Sequence, residues 1–183
     1  MIEKREKEWQ ELELKARQML ENPQLLPKDE TTRNFTPTLH LWITPTFTPE
    51  KHWVFYKPRP QINPPPKPFV RQMIWRKESD FQRLNDSLTG LQEGFHAEPT
   101  FETKTALIEK EMFETLHQQL SEIRFPAFAR DEIRGLDGES CGVEILGFYH
   151  QARVSWWSVY PDDWQELVRW FEKIQEFLEE NFK

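Results

Sequence analysis

Apolar residues recur along this chain with two different periods. Several short stretches alternate with period two, and three longer ones repeat at three-to-four spacing. Thr38–Pro45 (TLHLWITP) puts Leu39, Leu41 and Ile43 on one side and His40 and Trp42 on the other, which is strand periodicity. His52–Lys57 (HWVFYK) follows after a turn over Thr46–Glu50, so the two stretches read as a β-hairpin. Both strands carry aromatic rings on the second side as well. That side is therefore covered by another element or forms an exposed aromatic patch. Alternation returns in Phe69–Lys77 and Thr100–Ile108. It returns again in Cys141–Phe148 and Ala152–Trp157, which the connection Tyr149-His150-Gln151 joins as an antiparallel pair.

The helical period appears first over Ile2–Glu21, where Trp9, Leu12, Ala16, Met19 and Leu20 form a thin stripe that Asn22-Pro23 terminates. A stripe this narrow predicts a peripheral arm docked through Trp9 onto its own domain, with a partner-binding helix as the alternative. Lys110–Ile123 carries Phe113, Leu116, Leu120 and Ile123 on one stripe. Pro161-Asp162-Asp163 opens the last helix, where proline suits the first turn and carboxylates suit the positive end of the helix dipole. Trp164, Leu167, Val168, Phe171, Ile174 and Leu178 then give it a broad apolar side. A shorter helix begins at Ser79, with Ser79 or Asp80 as its cap.

Breakers separate these elements. Pro27–Pro37 reads as a polar linker, Thr89–Pro99 as a loop, and Gly135-Leu136-Asp137-Gly138 as a turn. Pro58–Pro68 (PRPQINPPPKP) favours extended polyproline II and reads as a stiff crossover. The sum is an α+β fold: an antiparallel sheet of about five or six strands with two longer helices, Lys110–Ile123 and Asp162–Phe182, on one face. Residues 1–37 form the N-terminal helical arm and linker, and residues 38–183 a single α+β domain with its crossover at 58–68.

Composition narrows function mainly by exclusion. The 183 residues carry a net charge of −7, which argues against non-specific binding to nucleic acid or to an anionic membrane. No apolar run reaches the roughly 20 residues that span a bilayer, and the charged N-terminus lacks the core of a secretory signal. Cys141 is the one cysteine, which fits a reducing compartment, and a cytoplasmic protein is expected. His40, His52, His96, His117 and His150 form no metal-binding spacing. No glycine-rich phosphate loop and no nucleophile elbow occurs, so no cofactor and no catalytic set is expected. Cys141 on a strand reads as an inert small hydrophobe, and Asp137 as the closing residue of an Asx turn.

The expected function is therefore a non-enzymatic binding or accessory protein acting on another protein. Its contact region would be the aromatic hairpin (Trp42, Trp53, Phe55, Tyr56) or the basic stretch Lys57–Arg83 with Trp75, since Trp, Tyr and Arg dominate interfaces. The alternative is an enzyme or small-ligand binder with a cleft lined by Asp137, Arg153, Trp156 and Trp157. The basic stretch also raises weak nucleic-acid binding, although the acidic closing helix offers it an internal partner. Glu144 and Arg153 would form a cross-strand ion pair if register sets them opposite. Oligomeric state is left open.

From Phe69 onward the layout resembles a widespread but uncharacterised family of small bacterial proteins. The similarity rests on Gly135-Leu136-Asp137-Gly138, Gly142-Val143-Glu144, Arg153 with Trp156-Trp157, and Pro161 with Trp164. It covers about the last two-thirds of the chain and implies no activity. The order of elements is also similar to small bacterial immunity-type and accessory proteins.

Overall fold

The hairpin β1 (Phe35–Pro45) and β2 (Lys51–Pro58) sits in the middle of the sheet and is apolar on both faces. The structure is a computed structural model that describes residues 2–25, 30–46, 48–88, 98–126, 138–147 and 151–182. The helices are α1 (Ile2–Glu21), α2 (Lys77–Leu88), α3 (Lys110–Glu122) and α4 (Gln165–Asn181). The remaining strands are β3 (Phe69–Trp75), β4 (Phe101–Leu107), β5 (Glu139–Leu146) and β6 (Gln151–Trp157). Among the described residues the strands form one antiparallel sheet in the order β4-β3-β2-β1-β5-β6. The fold is α+β, as the pattern predicts.

Strand phase follows the alternation read from the sequence. Leu39, Leu41, Ile43, Trp53, Phe55, Val143 and Trp156 face one side, beneath Phe113, Leu116 and Leu120 of α3 and Leu167, Phe171, Ile174 and Leu178 of α4. Trp156 meets Phe171 edge-on, with ring centroids 5.0 Å apart. The other side presents Val54, Tyr56, Phe69, Met73 and Trp75 to Ala16 and Leu20 of α1. Trp9 stacks on Trp75 at 5.8 Å and meets the edge of Phe81 at 5.0 Å. The N-terminal helix thus lies on its own sheet. Leu12, Ala16 and Leu20 are fully buried. Two buried leucines alone contribute about 3–6 kcal/mol, a large part of the roughly 5–15 kcal/mol that holds a domain together.

Several boundaries differ from the sequence reading, each for a local reason. The linker ends sooner, because Phe35 and Thr36 already pair with Pro58 and Lys57. Pro37 is tolerated within β1 because β5 pairs only from Leu39 onward, leaving that stretch with a single neighbour. Thr38 is an extra residue between the pairs Pro37–Tyr56 and Leu39–Phe55, and its hydroxyl lies 3.3 Å from the Phe55 carbonyl oxygen. The first turn of the last helix is a 3-10 turn over Asp162–Trp164, and α4 proper starts at Gln165. Asp80 is inside α2 rather than capping it, fully buried, and its carboxylate accepts from Trp75 Nε1 (2.8 Å), the Thr100 backbone N–H (2.8 Å) and Arg83 (2.6 Å). One buried charge with three donors ties β3, α2 and the approach to β4 together.

If α1 is a structural layer, Ala16→Arg should lower unfolding stability by roughly 2–5 kcal/mol through overpacking and a buried charge. Urea denaturation measures this. An unchanged midpoint would mean that the helix only rests on the sheet.

Candidate functional site

The residues expected to form a binding patch are mostly core. Trp53 is fully buried on the α3–α4 side. Tyr56 stacks on Phe69 at 4.7 Å beneath α1, and Trp75 is held by Trp9 and by its bond to Asp80. Trp42 is buried directly opposite Gly142, and a Cβ on that glycine would fall 2.0 Å from Trp42 Cζ2. The hairpin face is therefore a covered layer, and these four rings offer no surface to a partner. Two-sided burial explains why both sides of the hairpin needed aromatic volume.

Arg153 and Trp157 share a face of β6, but four residues along a strand separate them by roughly 13 Å. Arg153 is exposed, with its guanidinium carbon 4.6 Å from the Trp42 ring centroid, a cation–π contact. Trp157 is half-buried against Gly138, where a Cβ would meet its Nε1 at 2.9 Å. Asp137 lies outside the described residues. The register does set Glu144 opposite Arg153. The expected ion pair is replaced, however: Glu144 accepts from His40 and Gln151, and Arg153 stacks on Trp42.

Four cations of the basic stretch are paired within the molecule, though by other acids than those of the closing helix. Lys67 pairs with Glu109 at 2.5 Å, Lys77 with Glu13 at 2.9 Å, Arg76 with Glu102 and Arg83 with Asp80. From α4, Glu179 reaches Lys51 at 3.2 Å. Arg71 is buried in the sheet.

A polar chain that sequence spacing did not reveal crosses β2, β1 and β5 under the covered face. Glu144 Oε2 is 3.3 Å from His40 Nδ1, and His40 Nε2 is 2.9 Å from His52 Nδ1. A carboxylate only accepts, so Nδ1 of His40 carries the proton and its Nε2 accepts from His52. His52 Nε2 lies 3.6 Å from a Glu50 carboxylate oxygen, too far for a formed hydrogen bond. Burial holds the His40 imidazole down at about 4, despite its bond to Glu144. Burial would raise Glu144, yet the hydrogen bonds from His40 and Gln151 outweigh it and hold the carboxyl below its usual range. The signal available in the sequence was phase alone: His40, His52 and Glu144 all fall on the same side of their strands. His40, His52 and Glu144 are buried, with half-buried Glu50 at one end of the chain and exposed Gln151 at the other. Cys141 is likewise closed off, its thiol pushed up to about 12 by burial. His96 and His150 lie outside the described residues.

Among the described residues an accessible groove lies elsewhere. Pro58, Pro65, Pro66 and Pro68 form one wall of a half-open groove of about 770 Å³, Phe113 and His117 of α3 the other, and Ile145 and Leu146 its end. His117 Nδ1 donates to the Phe113 carbonyl (2.8 Å), and its Nε2 lies 2.9 Å from Thr38 Oγ1, so the bulge at Thr38 anchors α3. Burial lowers the His117 pKa. The lining is mainly apolar, with Lys57, Lys67, Lys110, Glu109, Glu111 and Glu114 around it. The proline run is thus the wall of a groove as well as a crossover. Among the described residues no group of His, Cys, Asp or Glu is arranged to hold a metal ion, and no helix is long and apolar enough to cross a membrane.

Compared with protein-family models, with curated proteins and with solved structures, the chain finds no match in any of the three.

The His40 shift fixes a pH dependence. A histidine neutral in the fold and free to protonate when unfolded contributes stability that is complete above about pH 6.5 and is lost as pH falls towards 4. The loss amounts to about 3 kcal/mol. Denaturation followed from pH 7 to pH 4 should show this decline, and His40→Phe should flatten it. An equal slope in the variant would refute the assignment.

Proposed function

We propose that this is a non-enzymatic binding protein that acts on another protein, with the groove between the proline run and α3 as its contact. One observation carries the reading: among the described residues His40, His52, Glu144 and Cys141 are buried, whereas the groove is open and lined mainly by apolar groups. Prolines lose little entropy when they receive a partner segment, and Phe113 is among the apolar groups that line the groove. The rim charges are largely balanced, since Lys67 pairs with Glu109 and Lys110 with Glu114 at 3.7 Å. Recognition would then rest on shape and apolar contact, with salt having a small effect. An immunity-like role, in which the partner is a harmful protein, is one form of this reading.

The groove volume also lies in the range of small-molecule sites, which makes a small-ligand binder the second reading. Native mass spectrometry of protein purified without denaturant separates the two, because a bound small molecule adds discrete mass.

Lys57 and Pro66 are exposed, so Lys57→Glu with Pro66→Asp should alter the groove and spare the fold. In pull-downs from native lysate, the unaltered protein and a Glu176→Lys control on α4 should retain a common partner that the groove variant loses. Equal recovery by all three, or no partner at any salt, would contradict the proposal.

A further inference from the structure

The edge strand β4 carries a self-complementary pattern. Among the described residues β3 is its one strand partner, and Thr103, Lys104 and Thr105 are exposed. Leu107, at its end, is 71 % exposed. Backbone direction along β4 is set by two bonds: Arg76 N–H donates to the Thr100 carbonyl and Ile108 N–H to the Pro68 carbonyl, each at 2.9 Å. Even-numbered positions therefore turn their peptide groups towards β3. In an antiparallel ladder the alternate positions turn theirs away, so Phe101, Thr103, Thr105 and Leu107 offer N–H and C=O groups at the free edge.

We propose that β4 pairs with β4 of a second copy of this chain, antiparallel about a two-fold axis through Thr103. A symmetric pairing must match outward positions with outward positions, which leaves a short menu of registers. Centred on Lys104, it sets two lysines opposite each other. Centred on Glu102, it opposes two glutamates. Centred on Thr103, it sets Glu102 of each copy opposite Lys104 of the other, twice over, and Phe101 opposite Thr105. The Glu102–Lys104 pairs fall at the non-hydrogen-bonded sites, where side chains approach closest and an ion pair gains most. A lysine in an edge strand ordinarily blocks association. Here Glu102 lies two residues away on the same face, 3.9 Å from Lys104 within one copy, and turns the block into a complement. Glu102 also holds Arg76, so the acid is already fixed in place for an incoming lysine. The face-on neighbour of Lys104 is the C-terminal end of α4, where Nζ lies 3.4 Å from the Phe182 carbonyl oxygen. The product is a continuous two-fold sheet, independent of the groove by the proline run.

Sedimentation equilibrium tests this. The unaltered chain should rise with concentration from 22.2 kDa towards twice that mass. Lys104→Glu should hold it at the monomer, and the exchange Glu102→Lys with Lys104→Glu should restore the dimer. Thr103→Pro removes an outward N–H without touching the β3 ladder, and should give a monomer with unchanged melting. Oxidised Thr103→Cys should form a cross-linked dimer, because a hydrogen-bonded antiparallel pair sets Cα atoms about 5.5 Å apart, within disulfide range. Leu107→Cys should form none. A monomer at every concentration, a double exchange that fails to recover, or cross-linking from Leu107→Cys in place of Thr103→Cys would overturn the proposal.

Discussion

The β1–β2 hairpin has no face that tolerates water, and the rest of the molecule answers to that. Leu39, Leu41, Ile43, Trp53 and Phe55 need cover on one side, Trp42, Val54 and Tyr56 on the other. A single helical layer can satisfy one side only. Helices α3 and α4 cover the first, and α1 crosses back over β2 and β3 to cover the second. The N-terminal helix is therefore a third layer of the core. Its thin apolar stripe is sufficient because Trp9 adds ring area against Trp75 and Phe81.

Burying both faces traps the polar residues of the hairpin. His40 and His52 have nowhere to find water, so they bond to each other and to Glu144, with Glu50 at the far end. The same constraint explains Gly142, whose missing side chain makes room for the Trp42 indole. It explains Asp80 too, a buried carboxylate with three donors where β3 passes into α2. Each is a local adjustment to a sheet that is core on both sides. Among the described residues, the proline wall and the edge strand β4 lie open at the periphery.

Much of this was readable in the residues. Strand phase came from alternation, so the assignment of Val143 and Trp156 to one face and Glu144 and Arg153 to the other needed no coordinates. Long helices were readable from their stripes. Contacts distant in sequence were not. Nothing local marks Glu13 as the partner of Lys77, or Glu109 as the partner of Lys67. The aromatic hairpin was ambiguous for a physical reason: a ring on an outward position looks the same whether a helix or water lies above it. The groove was hidden for a similar reason, because a proline run announces extended backbone and not what packs beside it.

Amide hydrogen exchange under native conditions tests the two-sided core most directly. If α1 is a layer of the core, the amides of Leu12–Leu20 should open with free energies close to those of β1 and β2. Amides in that segment that exchange as freely as an unstructured peptide, above a fully protected hairpin, would contradict it.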